Sequence, residues 1–329
     1  MGTRDDDGDE RWGVVLAAGE GKRLATVTRL LCGREVPKQF VAFDGTRTLL
    51  QQTMDRLSPV VPAKRTVVVV AREWRQLAEV QLEGYPGVEI ISQPRNVGTG
   101  PGILLPLSHI RARSPHAKVV LTPSDHDIPA AHVFVAAVQQ ATRVADTAPA
   151  GLVLLGATAD RPAGDLGWIV PAARPGDPDA EFGLVEKFVE KPPVANAKRL
   201  LGQGALWNTL IVVGRVGAFW ALAQRHMPRQ TNLFNRYVAA LLPLLRGERD
   251  ELDDLLTRIY RELPPADFSR DSLEVARGLG VVKLHGSGWS DCGTPERLLQ
   301  SLDKKGAPSR LPLIEMLRQH PPLNTAESG

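Results

Sequence analysis

The sequence predicts an α/β fold: a Rossmann-like, mostly parallel mixed sheet flanked by helices. Three observations carry this expectation. Short continuous apolar runs at 13–18, 66–71 and 118–122 have the profile of strands buried on both faces. Stretches with helical spacing lie between them. Each run stops at a Gly, a Pro or a polar turn, where a βαβ chain places its loops.

The elements follow in order. Residues 1–11, MGTRDDDGDER, hold almost nothing apolar and read as a disordered acidic leader, with no apolar core for a signal peptide. Ordered structure is expected from Trp12. Residues 49–57 carry Leu49, Leu50, Thr53, Met54 and Leu57 on one helical side. A helical stretch at 73–82 and a strand at 88–91 follow. A Gly/Pro-rich loop at 93–102 leads into an apolar helix reaching about Arg113, and a further helix begins near Ala130. The second half is less regular. Strands are expected at 151–157, 206–213 and 281–284, with hairpin character across 161–183. Helices are expected at 215–226, 232–246, 249–261 and 295–302. One domain thus spans 12–302. Residues 303–329 form a short polar tail with one amphipathic turn at 311–317.

Composition narrows the function. Forty Lys+Arg against 37 Asp+Glu leave a net charge of +3, too little for a nucleic-acid partner. Aromatics are 5% and scattered, so no base-stacking platform stands out. No apolar run approaches the roughly 18 residues of a membrane span. The cysteines, Cys32 and Cys292, make neither a disulfide framework nor a four-ligand zinc site, and a reducing cytoplasm is the natural setting.

In an open parallel sheet, ligands bind outside the C-terminal strand ends. The loop LAAGEGKRL (16–24) follows the first strand. Gly19 and Gly21 let backbone N–H groups approach an anion, and Lys22 and Arg23 add charge. A tight strand-to-helix turn with solvated cations is the competing reading. Leu24 stands where a dinucleotide fingerprint needs its third Gly. In PKQF (37–40), Lys38 follows a rigid Pro and suits a phosphate, or is simply an exposed loop lysine. PSDHD (123–127) ends a buried strand. Asp125 suits Mg²⁺, or serves as a turn or helix cap, and Asp127 fits the capping role better. WSDCGTP (289–295) sets Asp291 ahead of a Thr-Pro helix start. FVEKP (188–192) and LWNT (206–209) each carry one cation or amide. No G-x-S-x-G elbow exists, and neither cysteine has a nucleophile motif.

Together and in this order, these segments resemble the sugar-1-phosphate nucleotidyltransferases, and the mannose-1-phosphate guanylyltransferase branch most closely. LLQQTMDRL (49–57), QPRNVGTGPGI (93–103) and SRDSLEVA (269–276) add to the likeness, which covers 12–302. There are departures. The aromatic-Gly-aromatic-Ile segment stands as Leu166-Gly167-Trp168-Ile169, Leu210 replaces the Gly after Trp-Asn-Thr, and SRDSLEVA lacks the usual Tyr.

The resemblance implies a GT-A-like nucleotidyltransferase fold and an enzyme that joins a nucleoside triphosphate, GTP, to mannose-1-phosphate, releasing pyrophosphate. It implies nucleotide binding by Leu16, Ala17, Ala18, Gly19, Gly21, Arg95, Asn96, Gly98 and Thr99. Arg23 and Lys38 are the implied catalytic cations, and Asp125 and Asp291 the Mg²⁺ ligands. Gly167, Glu190, Lys191 and Asn208 are the implied sugar-phosphate site. A homodimer is compatible with it. The cupin-like or β-helical C-terminal domains of some relatives have no room here, so no fused isomerase or acetyltransferase activity is expected. Three rivals stay open. One is a uridylyl- or thymidylyltransferase acting on glucose-1-phosphate. The second is a glycosyltransferase reading Asp125-His126-Asp127 as Asp-x-Asp. The third is a non-catalytic nucleotide-sensing subunit.

Overall fold

A computed structural model describes residues 10–172, 182–244 and 250–306. The leader residues 1–9 and the tail 307–329, with its expected turn at 311–317, lie outside the described residues.

The first strand, β1 (Arg11–Ala17), leads through a tight turn into α1 (Ala25–Cys32) and then α2 (Leu49–Leu57). Next come β2 (Thr66–Ala71), α3 (Arg75–Gln81), β3 (Glu89–Gln93), α4 (Thr99–Arg113) and β4 (Lys118–Pro123). The chain continues through α5 (Ala131–Val144), β5 (Leu152–Thr158), β6 (Trp168–Pro171), β7 (Phe182–Val189), α6 (Val194–Gly202) and β8 (Leu206–Arg215). Helices α7 (Val216–His226), α8 (Pro228–Leu244) and α9 (Asp250–Glu262) precede a π-turn at Ser269–Leu273, β9 (Gly280–Leu284) and α10 (Pro295–Lys305).

The strands form one mixed sheet in the order β3-β2-β1-β4-β8-β5-β9-β7-β6. The N-terminal pairings β3–β2, β2–β1 and β1–β4 are parallel, as the apolar runs predict. In the C-terminal half only β5–β9 is parallel. There β8 runs antiparallel to both β4 and β5, and β6 turns back to pair with both β7 and β8. Along β1 the residues alternate between two cores: Val15 packs with α2 and α5 on one face, Val14 with α4 on the other. Both faces are covered, which is why these strands read as unbroken apolar runs.

Local chemistry sets the helix ends. Thr48 and Gln51 form a reciprocal capping box on α2, whose bounds match the expected 49–57. Thr294 caps α10 through the Arg297 N–H, with Pro295 in the first turn.

Several boundaries differ from expectation. β1 starts at Arg11, because Glu10 is already held: its carbonyl accepts from Lys118 N at 2.9 Å. α4 starts at Thr99, inside the expected loop, since Pro101 falls in the first turn where no N–H is needed. Asp127 does not cap α5. Its carboxylate meets Lys305 Nζ at 2.6 Å and accepts from Ser301, a partnership with α10 that local spacing cannot reveal.

Candidate active site

Parallel pairing brings the loops after β1 and β4 side by side. Ser124 clasps the end of β1, donating through its N–H and its hydroxyl to the Leu16 carbonyl at 3.0 and 2.8 Å. A two-residue bridge joins Asp127 to Ser290, with reciprocal backbone bonds of 2.8 and 2.9 Å. That bridge carries the 289–293 loop onto the 123–127 loop and brings Asp291 to Asp125. Local sequence offers no reason for the two to meet.

Lys38 sits between them. Its side chain is 8% exposed, against the expectation of a loop lysine in solvent, and its Nζ lies 3.2 Å from Asp125 Oδ2. The same ammonium donates to the Asp291 carbonyl at 2.5 Å. Its neighbour Gln39 fastens the glycine loop, donating to the Ala17 and Gly19 carbonyls at 2.9 and 2.8 Å. Gly21 takes φ +63°, and a Cβ there would stand 3.1 Å from Lys38 N, so the turn and the lysine loop fit only around glycine.

Arg23 reaches across to Asp165 at 2.7 Å and to Asp291 at 3.8 Å. Arg297, from α10, lies 3.2 Å from Asp291 Oδ1 and 2.5 Å from Asp165 Oδ2. Three cations (Arg23, Lys38, Arg297) thus face three carboxylates (Asp125, Asp165, Asp291). Gln39, Asp165 and Arg297 are not among the expected site residues. The PKQF motif contains Gln39, and Arg297 falls in WSDCGTPERL (289–298), which also carries the resemblance, but Asp165 has no local signal.

The residues expected at the sugar gather at the paired ends of β6, β7 and β8. Asn208 N donates to the Gly167 carbonyl at 2.8 Å. A Cβ on Gly167 would lie 2.6 Å from Glu190 Oε2 and 3.2 Å from Asn208 Cβ, so these three residues share one wall. Lys191 Nζ stands 3.4 Å from Glu190 Oε1. The π-turn joins this group: Glu274 accepts from Glu190 N, and Ser269 lies against Asn208. Leu210, where the family pattern has Gly, keeps the left-handed backbone at φ +54°. Trp207 and Trp289, 6.0 Å apart, line a cleft with Arg161, Asp291 and Arg297.

The residues after β3 divide. Asn96 donates to Glu20 of the glycine loop at 3.3 Å, and its Oδ1 accepts from Gly98 N at 3.0 Å. Thr99 accepts from Phe268 N at 2.8 Å. Arg95 turns away. Its guanidinium donates to the Tyr260 carbonyl at 2.8 and 2.6 Å and to that of Leu263, holding the end of α9. Its side chain is therefore engaged structurally, and of the expected base-side residues only Asn96 touches the glycine loop.

Comparison with known proteins gives this arrangement a family. The nucleotidyl transferase profile matches residues 12–306. The chain belongs to the nucleotidyl transferase family. It is 28% identical over 285 residues to the alginate biosynthesis protein AlgA of Pseudomonas aeruginosa, covering 85% of this chain and 56% of that protein. It is 28% identical over 292 residues to the mannose-1-phosphate guanylyltransferase of Escherichia coli, covering 85% and 57%. The chain thus spans little more than half the length of these curated relatives. Among solved structures, a Thermus thermophilus protein described as a mannose-1-phosphate geranyltransferase superposes with a TM-score of 0.74 at 26% identity, covering 89% of this chain and 79% of that one.

The electrostatics of this nucleotidyl transferase follow from the ion pairs. Burial raises the Asp125 carboxyl, but Lys38 and His126 beside it more than offset this and hold it below the usual carboxylate range. Burial lowers the His126 imidazole against the pull of Asp125, and Trp289 Nε1 donates to its Nδ1 at 3.3 Å. Burial raises Glu190, partly opposed by Lys191, and its buried Oε2 has no hydrogen-bond partner among the described residues. Burial pushes the Cys292 thiol up to about 11, so it stays protonated and is no nucleophile.

Proposed function

We propose that this protein joins GTP to mannose-1-phosphate and releases GDP-mannose and pyrophosphate. One observation carries the reading: Arg23, Lys38, Asp125 and Asp291, from four separate segments, converge outside the C-terminal ends of β1 and β4. The kinship with guanylyltransferases that bear this activity in their names supports the choice of substrates.

A phosphate oxygen of the sugar-1-phosphate attacks the α-phosphorus. The bond to the oxygen bridging the α- and β-phosphates breaks, and pyrophosphate leaves with that electron pair. The nucleophile is already an anion, so no general base is required. Catalysis then rests on alignment and on neutralising charge. The backbone of residues 16–21 would cradle the triphosphate. Arg23 would meet the departing β- and γ-phosphates, and Lys38 the phosphates at the reacting centre.

The carboxylates fit Mg²⁺. Lys38, a cation, already touches Asp125 and the Asp291 backbone, and Asp291 Oδ1 accepts no hydrogen bond among the described residues, its neighbour being the Arg297 guanidinium at 3.2 Å. Among these residues no group of three or more His, Cys, Asp or Glu could hold a metal. Magnesium needs only one or two carboxylates beside water and substrate phosphates. Held by Asp125 and Asp291, it would supply further neutralisation of the phosphate charge.

Lys191 would bind the sugar phosphate. The unpartnered Glu190 Oε2 would receive a sugar hydroxyl, since a buried polar atom without a partner calls for one in the complex, and Asn208 beside it would contact another. Cys32 and Cys292 are both free, which supports a cytoplasmic setting. No helix among the described residues is long and apolar enough to cross a membrane.

The test is pyrophosphate release with Mg²⁺ across GTP, UTP, dTTP, ATP and CTP, each with mannose-1-phosphate or glucose-1-phosphate. Release with GTP and mannose-1-phosphate alone is the expected outcome. Release with UTP or dTTP and glucose-1-phosphate would correct the substrates and keep the chemistry. No release from any pair would overturn the reading.

A further inference from the structure

We infer that Asp165 is a positioning residue of the nucleotide site: it holds Arg23 in the free protein, and an arriving triphosphate takes Arg23 from it. This rests on the functional reading above. Asp165 belongs to the segment between β5 and β6, two residues before Gly167 on the sugar wall. Its carboxylate nevertheless binds two arginines from elsewhere in the chain. Arg23 Nη1 meets Oδ2 at 2.7 Å from the glycine loop. Arg297 spans both oxygens from α10, at 3.2 and 2.5 Å.

The two halves of this clamp differ in strength. The Arg23 and Asp165 side chains are 57% and 43% exposed, whereas Arg297 is 7% exposed. An exposed ion pair shifts an equilibrium by no more than about fivefold. A buried guanidinium with two carboxylates around it is costly to strip. Arg297 therefore anchors Asp165, and the Arg23 contact is the exchangeable one.

Crowding works in the same direction. A Cβ on Gly293 would lie 2.3 Å from Asp291 Oδ2, 2.7 Å from Arg23 Nη2 and 2.8 Å from Arg297 Nη2. Two guanidiniums and a carboxylate thus converge over one glycine, and the Asp165 charge offsets the mutual repulsion of the arginines. A triphosphate offers Arg23 far more negative charge than Asp165 does. The cost of its binding includes breaking the Arg23–Asp165 pair. Removing the Asp165 charge removes that competitor while leaving Arg297 its partner Asp291.

The experiment is isothermal titration of GTP with Mg²⁺ into the full chain, its Asp165→Asn and Arg23→Gln variants, and the double variant, each checked for folding by its melting transition. Asp165→Asn is expected to bind GTP about two- to fivefold more tightly than wild type, with a smaller gain in the Arg23→Gln background. Unchanged or weaker binding in Asp165→Asn overturns the inference, and so does an equal gain in both backgrounds. If Asp165→Asn fails to fold, Asp165→Glu carries the test: keeping the charge, it should keep wild-type affinity with the Arg23 contact intact, and an affinity gain there overturns the inference. Wild-type protein that binds no nucleoside triphosphate at all overturns the functional reading itself. Wild type that binds GTP, without tighter binding in Asp165→Asn, overturns only the role of Asp165.

Discussion

Lys38 and Asp125 are paired at 3.2 Å in a site that draws its charges from segments far apart in the chain. Asp125 is half-buried at the end of β4, and its carboxyl is held in the ionised form by Lys38 and His126 against the effect of burial. Asp125→Asn keeps the shape and removes the charge. Turnover is expected to fall by at least ~10²–10³, the cost of losing one charge-organising group, with the circular dichroism spectrum unchanged. Pyrophosphate release at saturating Mg²⁺ measures it, and near-normal activity would overturn the proposal that Asp125 holds the metal. The place of Asp125 in this cluster was legible, because a carboxylate ending a buried apolar run stands at the edge of the sheet where ligands bind. Asp127 was not: it reads as a helix cap, yet its partners are Ser301 and Lys305 on α10. Arg95 reads as a ligand residue by its position in the 93–103 motif, but its guanidinium supports the end of α9.

Helix α10 shows how an element positions chemistry it does not contain. Its N-terminus is fixed by the Thr294 hydroxyl, which accepts from Arg297 N at 3.3 Å. Just upstream lies Asp291, and the first turn carries Arg297 back onto that carboxylate at 3.2 Å. Thr294→Ala is expected to cost about 1 kcal/mol of stability in denaturant unfolding. It should also lower kcat, because the Asp291 loop hangs from this cap, while Thr294→Ser retains both. The cap was visible in the sequence as Thr-Pro. The element boundaries that sequence periodicity misjudged are those decided by other elements. α4 begins early because Ala266 meets it there, accepting from Gly100 N at 3.0 Å.

At the scale of the whole molecule, Glu89 links the edge of the sheet to the helices packed behind it. Glu89 on β3 meets His109 on α4 at 3.1 Å and pairs with Arg113, while His109 reaches the Tyr237 hydroxyl on α8 at 3.1 Å. Burial raises the Glu89 carboxyl, but these partners outweigh it and draw it down to about 2. A depressed carboxyl contributes stability above its unfolded pKa and loses that contribution as pH falls through its folded one. Glu89→Gln should therefore be less stable than wild type by roughly 1–3 kcal/mol at neutral pH. The gap should close between about pH 4.5 and 2 in chemical denaturation. A gap that persists at pH 2 would show that the carboxylate charge is not its source.

The sequence by itself determined the parallel half of the sheet, the helices that cover it and the set of charged residues at its strand ends. These are local properties: apolar runs, helical spacing and turn chemistry act within about ten residues of chain. It also carried the ordered motifs by which the family is known. Only the tertiary structure decided that β8 enters antiparallel beside β4, that β6 closes back on β8, and that Asp291 arrives at Asp125 through the Ser290 bridge. The same holds for Asp165 and Arg297, whose 132-residue separation no spacing rule spans. The physical reason is that an ion pair or a strand pairing between distant segments costs loop closure and is repaid by packing elsewhere. It leaves no periodicity at either end of the chain that forms it.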